Sequence, residues 1–295
     1  MDNYWELTKQ LPNKENHEMV NEFLLSLKLS KHSENTVLSY RRYLLNFFGE
    51  IEDTYSSLSS ERILEWYQTN KGHLKESSFK QHLSVVSSFF NFCVKESQIE
   101  RSPIKKRWFP RPPKAVPKYL DKGEIAKIRQ ESERTSLRDQ ALIEFMLTSG
   151  CRIGEVNSLN IENIDLENRT ARVVGKGKKI RHVHFSDKCA ILLGRYLESR
   201  QTKETSPIFV KFESETRLGI SGIHRIMKKI GENAGLSGSL HAHRLRHTFA
   251  TELLAKGAEL AFISDELGHV DLSTTQIYAR LPNHVIISQY RKFRG

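Results

Sequence analysis

Apolar residues recur at steps of three and four through the first hundred positions, as in Phe23, Leu24 and Leu27 and again in Tyr40, Leu44 and Phe47, and this period predicts helices throughout. Ser33 or Asn35 can cap the helix that begins SENTVLSYRRYLLNFF. Two more helices are expected in SSERILEWYQTN and KESSFKQHLSVVSSFFNFCVKES, each opened by serines. Between residues 101 and 118 the pattern breaks. There Pro103, Pro110, Pro112, Pro113 and Pro117 alternate with Arg101, Lys105, Lys106, Arg107, Arg111, Lys114 and Lys118, with no acidic residue among them, which describes a proline-stiffened basic linker.

Helical periodicity returns from Asp121 in DKGEIAKIRQESE and SLRDQALIEFMLTSG, the latter ending near Gly150. The section NIDLENRTARVVGKGKKIRHVHFS then alternates apolar and polar positions about a Gly175-Lys176-Gly177 turn, as hairpin strands do. Helices resume in DKCAILLGRYLESR, SGIHRIMKKIGENAG, HRLRHTFATELLAKG, ELAFISDELG and STTQIYAR. The expected plan is mainly α with a small β-sheet: a helical module over 1–100, a linker over 101–118, and a larger module over 119–295. A chain of 295 residues suffices for two cores.

Charge narrows the partners. A formal net charge of +11 and a pI near 9.5 favour a polyanion, without separating DNA from RNA or an anionic membrane. No run of about 18 apolar residues occurs, and the polar start MDNYWELTKQ lacks the n- and h-regions of a signal peptide, so a cytoplasmic protein with no membrane partner is expected. Cys93, Cys151 and Cys189 are odd in number and widely spaced, which suits reduced thiols better than zinc or redox work.

Candidate chemistry gathers between His243 and Tyr278, where a His-Arg-Leu-Arg-His run, the Leu267 to His269 step and a tyrosine nine residues further on lie on one short segment. Histidine and arginine can donate to a phosphate while a tyrosine hydroxyl attacks it and holds it covalently, with no metal or cofactor needed. His243 and Arg246 are one helical turn apart and could meet a single phosphate, although a solvated basic face is the plain alternative. Arg152, flanked by Leu147, Ile153 and Val156, needs an acceptor if buried, and Glu155 offers a structural salt bridge. Lys176 sits at the tip of a glycine-flanked turn, where lysines are ordinarily solvated, and Tyr278 follows the possible cap Ser273, where it could equally be a packing aromatic. Their joint occurrence, in order, in a basic chain favours the chemical reading over these alternatives.

Taken together, SGCRIGEV, VVGKGKKIR, HAHRLRHTFAT and ELGHVDLSTTQIYAR resemble the tyrosine recombinase (phage integrase) family, especially its short two-domain Xer-type members. SENTVLSYRRYLLNFF and SSFKQHLSVVSSFFNFCVKESQIERSPI resemble that family's core-binding domain, so the likeness spans almost the full length. It implies a helical SAM-like N-terminal core-binding domain plus an α/β catalytic domain. It also implies a catalytic set of Arg152, Lys176, His243, Arg246 and His269 with Tyr278 as nucleophile. By the same likeness Tyr278 forms a 3′-phosphotyrosyl link on duplex DNA, the arginines neutralise the transition state, Lys176 protonates the leaving 5′-oxygen, His243 takes the tyrosine proton and His269 binds the phosphate. Two positions depart from the pattern: Glu266 stands where an apolar residue usually precedes Leu-Gly-His, and His184 replaces a proline common after the hairpin lysine. Both put local packing in doubt, not the chemistry. Tyr290 lies well outside the STTQIY context.

DNA contacts are expected along the basic linker and from the helix carrying Lys80 and Gln81. The tail LPNHVIISQYRKFRG, with apolar Val285, Ile286 and Ile287, resembles the element that family members pass to a neighbouring protomer, implying a homo- or hetero-tetramer on a specific recombination site. The length favours the compact two-domain plan, leaving chromosome-dimer resolution (chromosome partition) and mobile-element integration both open. The rival functions are a non-catalytic DNA-binding accessory protein on the same scaffold and a type IB topoisomerase-like relaxing enzyme.

Overall fold

The computed structural model describes residues 3–110, 118–175, 177, 179–200, 206–214 and 216–268. The chain divides into two compact units, Met1–Ala115 and Val116–Gly295.

Four helices build the first unit: α1 (Lys14–Leu29), α2 (Glu34–Phe48), α3 (Ser60–Lys71) and α4 (Glu76–Lys95). Local chemistry sets three of their starts. The side chains of Asn13, Ser33 and Ser59 accept from the backbone N–H groups of Asn16, Thr36 and Arg62, so Ser33 rather than Asn35 caps α2. The expectation that serines open both later helices fails for α4. Its cap position is Lys75, which has no acceptor to offer and makes no side-chain cap, while Ser77 and Ser78 lie inside the helix. Tertiary packing compensates, because Leu83, Val86, Phe89, Phe90 and Cys93 of α4 are all buried. Phe89 meets Phe23 of α1 and Phe48 of α2 edge to face, with centroids 5.7 and 5.1 Å apart. One polar network is sealed in this core: His82 Nδ1 lies 3.0 Å from the Tyr67 hydroxyl and Nε2 lies 3.4 Å from Asn46 Oδ1.

The second unit centres on α6 (Leu137–Ser149), whose Ala141, Leu142, Ile143, Phe145, Met146 and Leu147 are buried on all sides. Around it lie α5 (Lys122–Ser132), α7 (Ile153–Ser158), α8 (Asp187–Glu198), α9 (Ile220–Asn233), α10 (Ala242–Ala255) and α11 (Leu260–Leu267). The expected hairpin is present and carries a third, very short strand: β1 (Ile164–Asp165), β2 (Thr170–Val174) and β3 (Ile180–His184) form an antiparallel sheet in that order. Its register pairs Ala171 with Val183 and Val173 with Arg181, and Ala171, Val173 and Val183 face the core. As the sequence indicated, α6 ends at Gly150, at φ +61°. A Cβ there would also sit 2.4 Å from Phe249 Cδ1, so this glycine lets α10 approach the end of α6. Among the described residues no helix is long and apolar enough to cross a membrane. The STTQIYAR segment and the C-terminal tail lie outside them.

Burial, with a smaller contribution from the charge of Lys71, pushes His82 down to about 4 from its ordinary value near 6.5. Between those values the unfolded chain binds a proton that the folded chain does not, so folding stability falls as pH is lowered through this window. Thermal or urea unfolding of the full chain should therefore show an acid-linked loss of about 2–3 kcal/mol from this residue. His82→Gln should flatten the dependence between pH 6.5 and 4 by that amount. Parallel curves for the two proteins would contradict the assignment.

Candidate active site

The His-Arg-Leu-Arg-His run opens α10, and the helix sorts its members by face. His241 caps the helix, its Nδ1 accepting from Arg244 N at 3.2 Å. Arg244 is buried and structural, donating to Glu124 Oε1 at 2.7 Å and Gly238 O at 3.2 Å. His243 is exposed, while Arg246 is only 5% exposed, which removes the solvated-face reading for this arginine. His247 is half-buried and pushed down to about 4, chiefly by burial and then by the charges of His243, Arg246 and His241. At neutral pH it is uncharged.

Arg246 reaches across two helix ends, donating from Nη1 to Gly150 O at 2.7 Å and from Nη2 to Leu267 O at 2.6 Å. Those carbonyls belong to the C-terminal ends of α6 and α11, where the last C=O groups lack intrahelical partners and the helix dipole favours a cation. Arg152 comes to the same place from the start of α7: its Nη2 donates to Gly268 O at 3.2 Å and its Nη1 to Glu155 Oε1 at 2.9 Å. Arg181 of β3 completes the arrangement, donating from Nε to Glu266 O at 3.0 Å. Three consecutive carbonyls, those of Glu266, Leu267 and Gly268, thus receive Arg181, Arg246 and Arg152 in turn. Gly268 takes φ +62°, and a Cβ on it would meet Arg181 Cδ at 2.8 Å. The turn that ends α11 can be packed this closely only by glycine.

Glu155 is the acidic counterpart. It is buried, accepts both guanidinium arms of Arg181 at 2.7 and 2.9 Å, and caps α7 through Arg152 N at 2.8 Å. Burial is the strongest single influence on its carboxyl and favours the neutral form. The hydrogen bonds from Arg181 and the Arg152 backbone, with the charges of both arginines, outweigh it together and hold the carboxyl below the ordinary carboxylate range, as the anion. The salt bridge expected between Arg152 and Glu155 is therefore present, yet the Arg152 side chain remains 33% exposed. Two cations held side by side on rigid carbonyls can bind the non-bridging oxygens of a phosphate.

Of the residues singled out in the sequence, Arg152 and Arg246 are brought together at the end of α11, and His243 lies one turn before Arg246 on α10. Lys176, His269 and Tyr278 lie outside the described residues. Among the described residues beside Lys176, Gly175 N donates to Lys179 O at 2.8 Å and Gly177 takes φ +74°. Sequence reasoning missed Arg181. Its signal was present, because strand alternation puts Arg181 on the face of buried Val183, where an arginine requires an acid. Also missed was that the two departures from the family pattern meet each other: His184 Nδ1 lies 2.8 Å from Glu266 Oε1. Among the described residues no group of His, Cys, Asp or Glu side chains is arranged to hold a metal.

Comparison with known proteins fits this geometry. Residues 118–284 match the Phage integrase family and residues 20–97 match its N-terminal SAM-like domain. A tyrosine recombinase XerC of Oceanobacillus iheyensis is 35% identical, over 74% of this chain and 75% of the relative. A tyrosine recombinase XerD of Staphylococcus epidermidis is 30% identical, over 93% of this chain and 98% of the relative. The crystal structure of the XerH site-specific recombinase bound to a palindromic difH substrate superposes with a TM-score of 0.74 at 20% identity, over 97% of this chain and 90% of that one, a likeness of fold.

Removing the acid that Arg181 and Arg152 share should be severe. Glu155→Ala is expected to lower the unfolding free energy in urea by about 3 kcal/mol, because it leaves the largely buried Arg181 guanidinium without its carboxylate. A loss below about 1 kcal/mol would show that these contacts hold little of the unit together.

Proposed function

The chain belongs to the phage integrase family and is a tyrosine-type site-specific DNA recombinase, and from that premise we propose that Tyr278 is its nucleophile and that Arg152, Lys176, His243, Arg246 and His269 serve it. The observation that carries the reading is the anchoring of Arg152 and Arg246 on the neighbouring carbonyls of Gly268 and Leu267, immediately before His269. The Tyr278 hydroxyl attacks the scissile phosphorus of duplex DNA. The P–O5′ bond breaks, a 3′-phosphotyrosyl link forms, and a 5′-hydroxyl leaves. Arg152 and Arg246 stabilise the extra negative charge on the non-bridging oxygens. His243, exposed at the start of α10, takes the phenolic proton, Lys176 at the hairpin tip protonates the departing oxygen, and His269 donates to the phosphate. The 5′-hydroxyl of a partner strand reverses the step. Bond energy is conserved in the tyrosyl ester, so neither ATP nor a metal is required.

The partner in this reading is duplex DNA bearing a specific recombination site, bound by a homo- or hetero-tetramer of Xer type in the cytoplasm. The net charge of +11 supports the DNA partner. The division of the chain near residue 115 suits a core-binding domain over 1–100, a linker over 101–118 and a catalytic domain over 119–295. An apolar groove lined by Leu147, Phe185, Phe249, Leu253 and Phe262 offers a seat for the apolar tail of a neighbouring protomer, with Phe262 half exposed. The accessory-protein and relaxing-enzyme readings are not favoured by the relatives, which are named tyrosine recombinases.

Incubated with a nicked recombination site, the wild-type protein should form a covalent DNA adduct that survives a denaturing gel. Arg246→Ala should slow adduct formation by about 100-fold or more, and Tyr278→Phe should form none. No adduct from wild type would sink the enzymatic reading, and an adduct from Tyr278→Phe would sink the nucleophile. For the assembly, Phe262→Asp should convert tetrameric protein–DNA complexes on native gels into smaller ones, and an unchanged ladder would separate the groove from tetramer formation.

A further inference from the structure

Glu266 breaks a local rule. It is the penultimate residue of α11, where the helix dipole disfavours an anion, and its side chain is only 9% exposed. Local violations of this kind are tolerated where the surroundings return something for them. His184, the last residue of β3, holds the Glu266 carboxylate at 2.8 Å, while Arg181 of the same strand holds the Glu266 backbone carbonyl at 3.0 Å. One residue of α11 is thereby gripped twice by β3, through its side chain and through its main chain. The next two carbonyls of the chain are the ones that orient Arg246 and Arg152.

We propose that His184 is a positioning residue for the recombination chemistry: by fixing the Glu266 carboxylate toward β3 it sets the height and rotation of the α11 C-terminus, and through it the placement of the Arg152 and Arg246 guanidinium groups. His184 is 64% exposed, so the contact contributes little to global stability. Its effect is geometric. This inference rests on the recombinase reading above.

The test uses the full-length protein and the nicked duplex, with the single-turnover rate of adduct formation, the DNA dissociation constant, the assembly on native gels and the thermal unfolding temperature measured for each variant. His184→Ala and Glu266→Ala should each slow adduct formation by about tenfold or more, as displaced catalytic groups do. DNA affinity and unfolding temperature of His184→Ala should match wild type, and because His184 and Glu266 also line the groove assigned to the neighbouring tail, rates are compared at equal assembly on native gels. The double variant should be no slower than the slower single one, since both remove the same contact. His184→Asn, whose amide can donate near the position of Nδ1, should recover most of the rate. A wild-type rate in His184→Ala overturns the proposal, as do multiplicative losses in the double variant, a His184→Asn as slow as His184→Ala, or a rate loss that follows lost assembly. If the wild-type protein forms no adduct, the recombinase reading has failed instead.

Discussion

The catalytic unit depends on how one helix ends. The last carbonyls of α11 have no partners within the helix, and three guanidinium groups supply them, Arg181 to Glu266, Arg246 to Leu267 and Arg152 to Gly268. Each arginine comes from a different element: the hairpin, α10 and the start of α7. A short helix of eight residues could not hold such an arrangement through its own backbone cooperativity. It is held because the arginines are themselves fixed elsewhere, Arg246 on Gly150 O at the end of α6, and Arg181 and Arg152 on Glu155. Breaking any one of these contacts leaves a polar group unsatisfied in a packed environment, so each one raises the cost of losing the others.

Glycine supplies the close quarters that this requires. Gly150 admits the Phe249 ring to the end of α6, and Gly268 admits the Arg181 side chain to the end of α11. Both also take positive φ, so the two terminations are doubly constrained. The interhelical geometry around the arginines therefore follows from two positions in the sequence where a side chain has no room.

Much of this was legible in the sequence. The helical period marked the described helices of both units except the short α7, alternation marked the hairpin, and the motif order pointed to Arg152 and Arg246. What escaped was long-range. Lys75 instead of a serine begins α4, because burial of the aromatic face decides that helix and capping is secondary. Arg181 read as one basic residue among several in a strand, and its acid, Glu155, lies 26 positions earlier in the chain. His184 and Glu266 read as two separate departures because they are 82 positions apart, and only the packing of β3 against α11 makes them one contact. One sequence encodes such pairs but does not announce them, since a contact of high sequence separation leaves no local period.

The choice of acceptor for Arg246 has an electrical consequence. Carbonyl oxygens of Gly150 and Leu267 orient its guanidinium as dipoles that bear no net charge. A carboxylate in their place would fix the side chain as firmly but would cancel the cation it holds. These two contacts hold the guanidinium through dipoles and so add no negative charge beside it. A backbone carbonyl can in this way fix a charged side chain without itself contributing an opposite charge.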